Sequence, residues 1–319
     1  MAHDHHGHDH NHTHGHGHGH GHGHGHAKPS VGAAFAIGTL MNLIFVAIEA
    51  GYGLISHSMA LMADAGHNLS DVLGLALAWG ASLLAQKAPT RLRTYGFRNT
   101  TILASLINAL ALLFVTGGIV WESVRRFAEP EPIAGRTVIF VALAGVLVNG
   151  VSAALFAAGS KEDLNVRGAF LHLAADAGLS LGVAVAGAVM MYTGWSWLDP
   201  AVSIAVSLLI LWSTWSLLRS SANLLLHAVP EGIDPDQVAA YLQELPGVTE
   251  LHDLHIWAMS TTETALTAHV VMGPAAPPTR FLSDVCHELH ERFGIEHATI
   301  QVEPSACVEP CRLSPKGAL

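Results

Sequence analysis

Six stretches of the chain, near residues 31 to 55, 60 to 84, 100 to 123, 134 to 158, 168 to 193 and 198 to 220, are apolar over the length a helix needs to cross hydrocarbon, about 20 residues. A backbone inside a bilayer must satisfy its own N–H and C=O groups, so runs of this length fold as membrane helices. Composition agrees: half of the 319 residues are hydrophobic and only 13% are charged, with a mean hydropathy of +0.39. The stretch ahead of the first span lacks the layout of a cleavable signal peptide.

Past Val229 the apolar residues fall at helix and strand periods instead of in long runs. Asp234, Pro235 and Gln237 supply an N-cap, a first-turn proline and a capping-box partner for a helix that Pro246 and Gly247 stop. Strands near 248 to 258 and 263 to 272 follow, then a second helix closed by Gly294 and a last strand, "HATIQVE". The pattern predicts an α-helical membrane protein with a C-terminal α+β domain of order α-β-β-α-β. Its divisions are a tail over 1–30, six membrane helices over 31–220, the domain over 221–305 and a second tail over 306–319.

Charge divides the chain in the same way. From residue 231 onward there are 13 acids against 4 bases, whereas residues 1 to 230 hold 12 against 11. Such a domain repels nucleic acid and attracts cations. Cys286, Cys307 and Cys311 all lie in the last part of the chain, which suits free thiols in a reducing compartment. Lys87, Arg91, Arg93 and Arg98 crowd the second connection, so positive-inside bias puts that loop, the acidic domain and both termini in the cytoplasm. Arg125, Arg126 and Arg136 in the third loop pull the other way.

The amino-terminal segment "HDHHGHDHNHTHGHGHGHGHGHGH" holds 13 of the 23 histidines, spaced mostly by glycine. It has nothing to bury, which predicts disorder, and its imidazoles suit borderline metals. A purification tag is the plain alternative, against which stand the irregular Asp, Asn and Thr interruptions.

The membrane spans carry the most specific signal. In "ALMADAGHNLSDVLGLALAW" the polar residues Asp64, His67 and Asp71 are spaced to share one helix face at mid-membrane. An ionisable group there is costly and functional by default, the alternative being a polar cluster that holds helices together. In the fifth span "AFLHLAADAGLS" places His172 and Asp176 at the spacing of His67 and Asp71. Facing each other across a helix pair, these four offer two imidazole nitrogens and two carboxylate oxygens, a tetrahedral set that fits Zn2+ and lacks the sulfur that Cu(I) favours. Asn42, Glu49 and Asn149 are further polar residues at membrane depth.

These stretches resemble the cation diffusion facilitator family, and within it the zinc transporters with His-x-x-x-Asp motifs on the second and fifth spans. "SMALMADAGHNLSDV" and "LNVRGAFLHLAADAGLSLGV" are similar to those spans, and "VPEGID", "LHDLHIW" and "ATIQVE" to the family's cytoplasmic domain. The resemblance implies a homodimer of six-span protomers in the bilayer, a ferredoxin-like cytoplasmic domain, and Zn2+ export exchanged for protons by alternating access. It implies His67, Asp71, His172 and Asp176 as transport ligands, with Asp64 behind them or acting as a proton relay. His252, His269, His297, Glu303, Cys307 and Cys311 fall where relatives bind regulatory zinc, with solvated surface residues as the alternative. Residues 252 and 255 are read as pointing to opposite faces of a strand. The loop metal site of some relatives is absent from "QKAPTRLRTYGFRNTT", which has bases and no histidine.

No organic cofactor is implied. The abundance of Ala and Gly suggests a bacterial cytoplasmic membrane. A membrane metal sensor remains an alternative. An intramembrane zinc enzyme is another, disfavoured because neither "HNLSD" nor "HLAAD" supplies a general-base glutamate and four protein ligands leave no catalytic water.

Overall fold

The computed structural model describes residues 31–129, 133–157, 164–273 and 280–304. The histidine-rich tail, Cys307 and Cys311 lie outside the described residues. Six long helices come first, α1 (Val31–Ile55), α2 (Met59–Ala85), α3 (Thr100–Ala128), α4 (Gly135–Ala157), α5 (Leu164–Thr193) and α6 (Leu198–Leu225). Five are long and apolar enough to span a membrane, and α1 contributes a shorter apolar helix over Leu40–Ile55. The helices follow the apolar runs closely. The larger differences are at the ends of α3 and α6, where amphipathic turns continue the helix past the apolar stretch.

α2 sits at the centre of the bundle. One face packs Ala60 and Leu61 against Val138 and Ala142 of α4 and Val183 of α5. Its other face sets Met59 and Ala63 against Leu112 and Ile119 of α3 and Val206 and Ile210 of α6. Phe114, Trp121, Phe140 and Trp212 point outward and are exposed, the inverse of a soluble bundle and the surface that lipid covers. Small residues let the helices approach: a Cβ on Gly145 would lie 2.9 Å from both Phe45 Cζ and Ser180 Oγ.

The start of α2 is held by a residue from another helix. Asp199, at the first turn of α6, is wholly buried and accepts hydrogen bonds from Ser58 Oγ at 2.5 Å, Met59 N at 2.7 Å and Ala60 N at 3.3 Å. α6 has no side-chain cap of its own, and the carboxylate satisfies the orphan amides of α2. Asp199→Ala leaves those donors unpaired in hydrocarbon, so we expect a loss of about 3 kcal/mol, hydrogen bonds to a charged group being worth roughly 1.5–3 kcal/mol each. Thermal unfolding in detergent reads this directly, and an unchanged midpoint contradicts the clamp.

The C-terminal domain comprises α7 (Pro235–Gln243), β1 (Val248–Ala258), β2 (Thr264–Met272), α8 (Phe281–Phe293) and β3 (His297–Glu303), in the α-β-β-α-β order the sequence predicts. Asp234 caps α7 by accepting from Asp236 N and from the Gln237 side chain, and Gly294 closes α8 in the left-handed region at φ 65°. The strands lie in the order β1-β2-β3, with β1 antiparallel and β3 parallel to β2. One sheet face carries Leu266, Ala268 and Val270 into a core with Val238 and Leu242 of α7 and Val285 and Leu289 of α8. Period-two alternation puts Thr267, His269 and Val271 on the opposite face. The two domains meet where Arg98 pairs with Glu263, Thr261 N donates to Thr101 Oγ1 at 3.1 Å, and the Tyr95 ring stands edge-on to His297.

Candidate metal centre

Residues four apart on a helix stand one above the other, so α2 stacks His67 on Asp71 and α5 stacks His172 on Asp176. The bundle brings the two pairs together. His67 Nε2 lies 3.5 Å from Asp176 Oδ1 and 3.7 Å from Asp71 Oδ2, and His172 Nε2 lies 3.2 Å from Asp71 Oδ2 and 3.5 Å from Asp176 Oδ2. Each imidazole thus touches both carboxylates. A tetrahedral ion with bonds of about 2.05 Å needs donors about 3.3 Å apart along each edge, close to these separations. Donor atoms of His67, Asp71 and Asp176 all lie within 4.8 Å of one another. His172 lies outside that group of three but approaches both of its carboxylates, its ring edge to face with that of His67 at a centroid separation of 6.0 Å. Asp176 is almost fully buried whereas the His172 side chain is half exposed, which leaves the site walled on one side and open on the other.

Asp64 is wholly buried one turn before His67 and outside this group. Ser180 Oγ donates to its Oδ2 at 2.8 Å, and Glu49 of α1, also fully buried, adjoins it. Asn68 and Asn149 are wholly buried as well, and Asn68 adjoins the Glu49 carboxylate. Glu49 was legible only as a polar residue at membrane depth. Ser180 carried no signal at all, because a serine in a small-residue helix reads as packing.

The C-terminal domain holds the second donor group found among the described residues, His252, His269 and Glu303. Sheet register explains it: His252 pairs with His269 across β1 and β2, and Glu303 pairs with Val271 two residues along the same face. Glu303 Oε1 lies 3.1 Å from His269 Nδ1, and Oε2 lies 3.4 Å from His252 Nε2. His297 stands apart, against Tyr95.

The expected opposition of His252 and His255 is overturned. A register shift between them, with Asp253 at φ 53°, inserts an extra residue into β1, so that His255 pairs with Thr267 on the same sheet face as His269. His255 nevertheless stays out of the donor group, its Nε2 lying 3.1 Å from Asp253 Oδ1. Cys286 of α8 is half-buried, and burial pushes its thiol above the usual range, which makes it a poor thiolate ligand.

Residues 35–226 match the model of the cation efflux transmembrane domain, and residues 230–305 that of the cation efflux protein cytoplasmic domain. The chain is 39% identical over 273 residues to the zinc transporter ZitB of Escherichia coli, covering 85% of this chain and 87% of that protein. It is 36% identical over 264 residues to the metal cation efflux system protein CzcD of Cupriavidus metallidurans, covering 82% and 84%. A cadmium, cobalt and zinc/H+-K+ antiporter of Bacillus subtilis is 34% identical over 275 residues, covering 85% and 88%. Among solved structures, the metal-bound C-terminal domain of the CzcD transporter matches 22% of this chain and 99% of its own length at 39% identity, with a TM-score of 0.21.

Proposed function

Because the chain belongs to the cation efflux, or cation diffusion facilitator, family, we propose that it exports Zn2+ through a site made of His67, Asp71, His172 and Asp176. The observation that carries this reading is the pairing of each imidazole with both carboxylates at 3.2–3.7 Å in the middle of a membrane bundle. Two aspartates cancel the charge of one divalent ion, which lowers the cost of holding it in hydrocarbon. Imidazole and carboxylate without sulfur suit Zn2+ among the common transition metals.

The same atoms hold protons when the ion is gone. Histidine, with an ordinary pKa near 6.5, exchanges a metal for a proton in the physiological range. Protons arriving from the outer side displace zinc, and deprotonation on the cytoplasmic side restores the ligands. The names of the bacterial relatives, a zinc transporter and an H+-coupled antiporter, support zinc as cargo and antiport as mode. We read the protein as a homodimer in a bacterial cytoplasmic membrane, with the acidic domain and both termini inside. His252, His269 and Glu303 are read as a regulatory zinc site in that domain, Asp64 as a group behind the transport ligands, and the histidine tail as a metal-gathering segment. Transport without covalent chemistry needs no organic cofactor.

Growth provides the test that separates a transporter from a sensor. Expression in a bacterium stripped of its zinc exporters should restore growth at raised zinc and lower cell zinc several-fold, while Asp71→Ala does neither. Correctly inserted wild-type protein that leaves cell zinc unchanged would overturn the reading.

A further inference from the structure

The connection between α2 and α3, residues 86–99, holds four bases and no acid. Arg98 is spoken for by Glu263. Lys87, Arg91 and Arg93 are exposed, and no acidic side chain among the described residues pairs with them. The loop is not a loose charge run. Thr90 and Arg93 exchange backbone hydrogen bonds at 2.9 and 3.1 Å, Thr90 Oγ1 accepts from Arg93 N, and the Arg93 guanidinium lies 4.6 Å over the Phe97 ring. This tight turn projects Leu92, which is 96% exposed, between two arginines. An apolar tip flanked by cations, on a loop that joins the ends of two membrane helices, is the layout of a segment that dips into the headgroup layer.

Beside the loop is a cleft of about 370 Å³ lined by Ser82, Lys87, Arg98, Thr101, Ser260 and Thr262, among others. It lies between the membrane end of α2 and the turn that joins β1 to β2, so a ligand seated there touches both domains. The hydroxyls and Lys87 suit a phosphate oxygen, and Glu263, which also lines it, is already neutralised by Arg98. The domain beyond carries 13 acids against 4 bases from residue 231 on, and an anionic bilayer surface repels it. The bases of this loop stand at the junction of the two.

We propose that residues 86–99 and the adjoining cleft bind the headgroup of an anionic phospholipid, with Lys87 in the cleft on its phosphate, Arg91 and Arg93 outside the cleft on the loop tip in the headgroup layer, and Leu92 inserted among the acyl chains. The lipid ties the α2–α3 loop, and through it α2, to the C-terminal domain. This inference rests on the membrane architecture and not on which ion is carried.

The test uses the full chain in phosphatidylcholine vesicles with and without brominated phosphatidylglycerol, reading quenching of its tryptophans and the lipid retained on purification. Each basic residue near a membrane surface favours anionic lipid by about fivefold, so wild type should prefer phosphatidylglycerol and the triple variant Lys87→Gln, Arg91→Gln, Arg93→Gln should lose at least about tenfold of that preference. Arg91→Lys with Arg93→Lys should keep most of it, and raised salt should erode it in wild type. Equal association of wild type with both lipids, or a wild-type preference in the triple variant, overturns the proposal. If the triple variant does not fold, the wild-type salt series decides: a preference insensitive to salt is equally fatal.

Discussion

Asp176→Ala is expected to abolish zinc flux while the protein remains folded. Asp176 is the most buried member of the four-residue group and faces both imidazoles, at 3.5 Å each. On the proposed reading its removal takes away a ligand and half of the negative charge that balances a divalent ion. Loss of an outer-shell partner alone typically costs 10- to 100-fold in metal affinity, so loss of a ligand should lower flux by about 100-fold or more. Alanine is smaller than aspartate and α5 keeps its apolar packing on α4, so the unfolding midpoint in detergent should stay close to wild type. Flux within a few-fold of wild type in a folded variant removes Asp176 from the site.

A second large effect is a change of selectivity. His67→Asp converts a set of two imidazoles and two carboxylates into one imidazole and three carboxylates. The change removes a borderline nitrogen donor, adds negative charge and permits bidentate oxygen coordination, so a larger ion such as Cd2+ gains relative to Zn2+. We expect the Cd2+ to Zn2+ flux ratio to rise by about tenfold, the equivalent of 1.4 kcal/mol between the two ions. The pH dependence should move as well. Histidine with an ordinary pKa near 6.5 takes up protons across the range from pH 8 to pH 6, whereas an aspartate near 3.9 does not, so inhibition of transport by acid should begin lower. Paired flux measurements on both ions across that window decide it, and an unchanged ratio with an unchanged profile means that His67 is not a ligand.

Much of the molecule was legible because bilayers and metals impose strict patterns. Apolar run length gave the six helices, since hydrocarbon thickness sets it and little else does. The two His-x-x-x-Asp repeats gave the four residues that the bundle brings together, because i, i+4 spacing fixes a shared helix face whatever the tertiary fold. What stayed hidden depends on contacts distant in sequence. Asp199 lies in the first turn of α6 and caps α2, 139–141 residues away. Ser180, the donor to Asp64, looks like any small residue of a packed helix. The bulge at Asp253 hid the true direction of His255: strict alternation is what strand reading assumes, and one extra residue reverses it. Likewise the Arg98–Glu263 pair joins two domains whose docking no local pattern reveals.

The central claim, that zinc crosses through the His67, Asp71, His172 and Asp176 site in exchange for protons, is tested most directly by recording zinc entry and lumenal pH together in proteoliposomes of the purified chain with an acidic interior. The account predicts that zinc enters as protons leave, that collapsing the gradient with an ionophore slows zinc entry, and that Asp176→Ala vesicles show neither movement. Zinc entry that ignores the gradient, or that persists in the Asp176→Ala vesicles, would contradict it.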